Sequence, residues 1–298
     1  MSICYFSVWF REHMDNYYLV IHVSIVIKLV IILFIILFGP KIGLHADLRS
    51  RSVTSPHRSY RVINITKGVF FQVLLLLLPL DLILLVVPQI TGLMNVAAIS
   101  AIHPHFSSII PINFFWGQLY TVDLIGKYPD ALTSFIVLAF SAGGIAFFLL
   151  SKISLPVALY GEYVFIVNCI SAIYFVFFPA SFPYSVRDYS ELYIKLQSGL
   201  WMFLPIIMLM SLLPLPATGY SKLGASMITL VYSVVFGFAR YVISLYVLVN
   251  YSYIWMAVIF FVFGPLLDFV YIVGVYSFYL SLIAERYKSN VKMWRWIY

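Results

Sequence analysis

Residues 68–91 read GVFFQVLLLLLPLDLILLVVPQIT, a run with a single charge, Asp81. As a helix rising 1.5 Å per residue, such a run is long enough to cross the ~30 Å hydrocarbon core of a bilayer. Strands of a membrane barrel would instead alternate apolar and polar residues in short segments. Backbone groups in lipid must find partners within the protein, so a continuous apolar run of this length specifies a helix.

The rest of the chain is built from the same material. Of 298 residues, 63% are hydrophobic and 10% charged, and the mean hydropathy is +1.01. Soluble domains hold about 45–50% apolar and about 25% charged residues, and a chain of this size has too little interior to hide the excess. Further apolar runs cover 17–38, 131–151, 154–180, 196–216, 223–250 and 253–284. The expectation is an all-α integral membrane protein: one polytopic helical bundle of about seven transmembrane helices over 1–298. Segment 92–130 is apolar but broken by Pro104, Pro111, Gly117 and Gly126. It reads as an external apolar or re-entrant segment, since irregular backbone at membrane depth needs protein or a wet cavity beside it.

Charge sets the expected orientation. The net charge is +7, and the basic residues cluster beside apolar runs. Loop 39–67 holds Lys41, Arg49, Arg51, Arg58, Arg61 and Lys67 against Asp47, and the tail holds Arg286, Lys288, Lys292 and Arg295 against Glu285. Basic loops stay cytoplasmic, which puts the N-terminus outside and the C-terminus inside the cell membrane. The same placement argues against nucleic acid as a partner and for the lipid bilayer. Trp201, Trp255, Trp294 and Trp296 fall near span ends, where interface anchors sit. Residues 1–16 carry Arg11, Glu12, His13 and Asp15 and do not read as a cleaved signal. With only Cys4 and Cys169, there is no disulfide framework and no zinc pattern.

Five ionisable residues fall inside the expected spans: Lys28, Asp81, Glu162, Arg240 and Asp268. Each costs about 3 kcal/mol or more at mid-bilayer unless paired or wet. Depth suggests partners. Lys28 and Asp81 sit at matching depths below the outer ends of neighbouring spans. Arg240 and Asp268 are offset by roughly 7 Å, within reach of an arginine side chain. Glu162 has no obvious partner, although Lys152 could approach it by snorkelling. Such charges serve either a proton or ion path or the fixing of helix packing. Of the six histidines, His22, His103 and His105 can gather on the outer side, where two imidazoles could ligate a b-type haem or a metal.

Catalytic motifs such as GxSxG, HExxH, Walker A and GxGxxG are absent. Gln197-Ser198-Gly199 at the start of one span, with Arg240 in the next, resembles the exosortase/archaeosortase family of membrane transpeptidases. That family carries Cys-Ser-Gly there and an arginine in the following helix. The resemblance covers roughly the last 100 residues. It implies an outer-face enzyme scaffold, with Gln197 where the nucleophilic cysteine would be. Three functions are compatible with these observations. One is a membrane subunit of a larger assembly, such as the hydrophobic partner of other subunits in an electron-transfer complex. A second is a transporter or proton-translocating protein, although no internal repeat supports it. The third is the outer-face enzyme.

Overall fold

The structure is a computed structural model that describes residues 67–286 apart from 105, 106, 116 and 180. Span 17–38, loop 39–66, Lys28, His22, His105 and the tail beyond 286 lie outside the described residues. In chain order the elements are α1 (Lys67–Ile102), β1 (Ser108–Phe114), β2 (Gly117–Asp123), α2 (Ala131–Leu150), α3 (Leu155–Phe177), α4 (Val186–Leu212) and α5 (Gly219–Asn250). A short 3₁₀ turn (Tyr253–Trp255) leads into α6 (Met256–Phe261) and α7 (Pro265–Arg286). Counting the broken stretch Tyr253–Arg286 once, six helices are long and apolar enough to cross a membrane. This is the architecture of a multi-pass membrane protein.

Several boundaries differ from the sequence reading. Helix α1 runs eleven residues past 91, through Pro79 and Pro88, for 36 residues in all. That is about 54 Å, well beyond the ~30 Å apolar core. Thr91 Oγ1 donates to the Pro88 carbonyl at 2.9 Å. Prolines survive in such helices because hydroxyls and neighbouring helices satisfy the freed backbone groups. The helix stops at His103, whose φ of 49° is left-handed and whose N–H donates to Ile99 O at 2.9 Å. A left-handed residue is a common helix C-terminal cap, and the following proline cannot continue the helix.

The bundle is also not purely helical. Strands β1 and β2 pair antiparallel as a hairpin, with Ser108 opposite Asp123 and Phe114 opposite Gly117. Pro111 and Gly117 read as breaks in sequence. In the structure Pro111 lies in β1, whose outer edge pairs with no further strand among the described residues, and edge strands are where proline is tolerated. The inner strand, β2, packs against α1 and α4.

Helix α4 starts ten residues before the expected 196. Ser185 accepts from Asp188 N at 3.1 Å, and Ser185 N donates to Asp188 Oδ2 at 2.8 Å. This reciprocal capping box satisfies two N-terminal donors. The expected last span, 253–284, is interrupted between Phe261 and Pro265.

Helix α5 lies at the centre, packed against α1, α4 and α7. Its buried stripe includes Ser226, Thr229, Ser233, Gly237 and Ser244. Small residues at helical spacing let neighbouring backbones approach closely in a membrane bundle. Helices α2 and α3 pair with one another at the edge, and α3 reaches the rest through the 3₁₀ turn and α6.

Candidate functional site

Arg240 projects from α5 into the interior at 8% exposure, and Asp268 meets it from the first turn of α7 at 4%. Arg240 Nη2 lies 2.9 Å from Asp268 Oδ2, and Nη1 lies 3.2 Å from Oδ1. This is a two-point guanidinium–carboxylate pair, the arrangement that best offsets the removal of both charges from water.

The remaining arginine donors are also engaged. Nε donates to Tyr193 OH at 2.8 Å, and that hydroxyl donates on to Gly237 O at 2.8 Å. Nη1 donates to the carbonyls of Phe263 and Gly264, both at 3.0 Å. Both carbonyls lie in the break between α6 and α7. That of Gly264 also accepts from Leu267 N and Asp268 N, so it is Phe263 O to which Arg240 supplies the donor that the break removes. The break needs glycine: a Cβ on Gly264 would lie 2.0 Å from Phe260 O.

Nη2 donates to Gln197 Oε1 on α4. Arginine offers only donors, so the amide must turn its oxygen toward Arg240. The Gln197 Nε2 is then buried with no hydrogen-bond partner. Gln197 itself is 3% exposed. Gly237 makes room for it, since a Cβ there would lie 2.8 Å from Nε2.

This cluster closes one end of a cleft of about 590 Å³. Helices α4 and α7 both pack on α5 and leave the cleft between them. Leu200, Met208 and Ile272 line it, and Ser211 and Tyr276 mark the other end. Leu196, Phe203, Phe269 and Val273 form an exposed apolar rim. Among the described residues nothing covers this rim.

A second polar group lies nearer the hairpin. Tyr241 OH donates to Asn95 Oδ1 and lies 2.6 Å from Ser190 Oγ, which lies 2.7 Å from Thr121 Oγ1. Asn95 Nδ2 donates to Tyr120 O at 2.7 Å. All four side chains are fully buried. They tie α1, α4 and α5 to β2.

The other residues singled out in sequence are placed as follows. Asp81 and Glu162 are half-buried on α1 and α3, and neither lines the cleft. Lys28 lies outside the described residues, so its pairing with Asp81 does too. His103 is exposed and caps α1, while His22 and His105 lie outside the described residues. Among the described residues no three His, Cys, Asp or Glu side chains group as metal ligands. No observation on these residues supports electron transfer.

Gln197 and Arg240, which carry the transpeptidase resemblance, are in direct contact, with an amide where that chemistry needs a thiol. The sequence reading missed Tyr193, Gly237 and the Gly264-Pro265 break. The last could have been found, since Gly-Pro inside an apolar run marks an interruption. No protein family, curated protein or solved structure matches the chain.

Proposed function

We propose that this multi-pass membrane protein binds a long apolar chain, taken from the lipid phase, in the cleft between α4 and α7. The carrying observation is an apolar cleft with an exposed apolar rim that ends on a buried, neutralised ion pair. In a membrane bundle such a rim is suited to face lipid. Its volume falls within the roughly 300–1,000 Å³ of small-molecule sites. From Gln197 to Ser211 the cleft follows α4 for roughly 20 Å at 1.5 Å per residue. A hydrocarbon chain is apolar enough for this lining and long enough to follow it.

An ion path is less well supported. The arginine donors are all engaged and the lining between the cluster and Ser211 is apolar, so the cleft offers a permeant ion no ladder of polar groups. For orientation we propose that the α4 end at Val186 faces outward and the α7 end at Arg286 inward, following the basic tail.

Gly199 supplies the test. It lines the cleft, and a Cβ added there meets nothing within 4 Å. Gly199→Leu therefore fills the cleft without disturbing its walls. The wild-type protein, photolysed with a long-chain alkyl diazirine in detergent, is expected to label on α4 and α7, and Gly199→Leu to lose most of that labelling. Equal labelling of the two proteins, at normal thermal stability, would overturn the proposal.

A further inference from the structure

We propose that the closed end of the cleft selects an uncharged, carbonyl-bearing head group on the chain it binds. This rests on the chain-binding reading above and adds the chemistry of the ligand's polar end.

Three observations carry it. The first is the saturation of Arg240. Its five N–H groups face Tyr193, Gln197, both Asp268 oxygens and two backbone carbonyls. No donor remains for a phosphate or a carboxylate. An anion would also meet Asp268, and a cation would meet Arg240. The pair is neutral as a unit, so an uncharged group is the one that neither member repels.

The second is Gln197 Nε2, a buried donor without a partner, seated against Gly237 on a residue that lines the cleft. Buried polar groups in native proteins are nearly always hydrogen-bonded, and an orphan calls for an explanation. The amide orientation is fixed by Arg240, so the free valence is a donor. Its complement is an acceptor, and a carbonyl oxygen is an acceptor that an apolar molecule can carry without charge.

The third is depth. Arg240 lies ten residues from the Asn250 end of α5, about 15 Å along the helix. With the Asn250 end of α5 set at the boundary of a hydrocarbon core ~30 Å thick, this is near the centre, where charged lipid head groups do not reach. A neutral head group, such as an ester or a quinone ring on a prenyl tail, can enter that depth.

The two sources are separated by competition. The protein is held in alkyl maltoside micelles, which contain no carbonyl, and labelled with the alkyl diazirine. Four competitors are compared: methyl oleate, a prenylquinone, oleate anion and octadecene. Methyl oleate or the quinone is expected to compete about tenfold better than octadecene, the stronger of the two naming the source, while oleate shows no advantage. Gln197→Leu should abolish the advantage and leave competition by octadecene unchanged. Gly237→Ala should do the same, because its Cβ displaces the amide while Arg240 keeps Asp268. Should Gln197→Leu fail to fold, this second variant decides.

Equal competition by all four ligands, or the best competition by oleate, would overturn the head-group proposal and leave chain binding standing. An advantage for the carbonyl ligands that survives in both variants would overturn it as well. Absence of cleft labelling in the wild type would remove the chain-binding reading, and this proposal with it.

Discussion

Helices α4 and α5 differ from the pair α2 and α3 in how each helix is held. In α4, 56% of the apolar stretch is buried within the protein, and in α5, 44%; in α2 the share is 17% and in α3, 28%. The central pair carries Arg240, Gln197, Tyr193 and Ser190 into its interface, each bonded to another element. The peripheral pair is joined mainly by shape, with one buried hydrogen bond across it, from Asn168 Nδ2 to Ser141 Oγ at 2.8 Å. Gly144 leaves space for the Phe165 ring and Gly161 for the ring of Phe148: a Cβ at either glycine would come within 2.5 Å of it. Lipid is as apolar as leucine, so helices in a membrane gain little by hiding leucines from it. They associate through close packing or polar contacts; this protein uses a network of polar contacts at its centre, and close packing with a single polar bond at its edge.

The largest expected effect breaks the central device. Asp268→Asn strands a guanidinium in the interior, and loss of one member of a buried pair costs about 3–5 kcal/mol. Arg240→Gln strands the carboxylate and takes from the Phe263 carbonyl its arginine donor. The double variant removes both charges and is expected to be more stable than Asp268→Asn alone. Thermal unfolding in detergent, followed by circular dichroism, measures the three variants. Strict additivity of the two single effects would mean that the pair contributes no coupling.

The pair shows what a sequence carries of such a site. Depth arithmetic brings Arg240 and Asp268 together, because a charge in an apolar run is conspicuous and 1.5 Å per residue ranks it by depth. Gln197 stands out only through the transpeptidase resemblance. Tyr193 and Gly237 look like any tyrosine or glycine in an apolar run. Their roles depend on the register of α4 against α5, which no local pattern encodes. The apolar runs locate helices for the same reason that they obscure helix ends. Hydropathy marks what lipid tolerates, whereas α4 begins at a capping box in a polar stretch and α1 continues past the membrane's thickness. The signal at Ser185 and Asp188 was present as S-x-x-D, a pattern that marks a helix start. The hairpin was hidden by Pro111, since proline inside a run argues against a strand unless the strand is an edge.

A smaller effect is expected at the edge. Gly144→Ala places a methyl group 2.5 Å from the Phe165 ring, so the ring or the helix must move. Overpacking of this kind typically costs about 1–3 kcal/mol. The same unfolding assay should show the loss, while alkyl diazirine labelling of the cleft stays at the wild-type level. If Gly144→Ala reduced labelling as much as Gly199→Leu, the edge pair and the centre would not be separable as described.

The smallest effect tests the seam between the two regions. Ser171 Oγ on α3 donates to Ile254 O in the 3₁₀ turn at 2.7 Å. This is one of the polar links between the edge pair and the segment leading to α6. Interhelical hydrogen bonds in membrane proteins average about 0.6 kcal/mol and reach about 1.7. The Ile254 carbonyl is buried beside the bond, so Ser171→Ala leaves it without that donor and should fall toward the upper part of that range. Ser171→Cys provides the control, since a thiol of similar size remains a weak donor. The alanine variant is expected to unfold at a lower temperature than the cysteine variant, with cleft labelling unchanged in both. Identical stabilities for alanine and cysteine would assign the seam to packing around Phe175, which is buried one turn further along α3, and the centre and the edge would then share a shape-based joint.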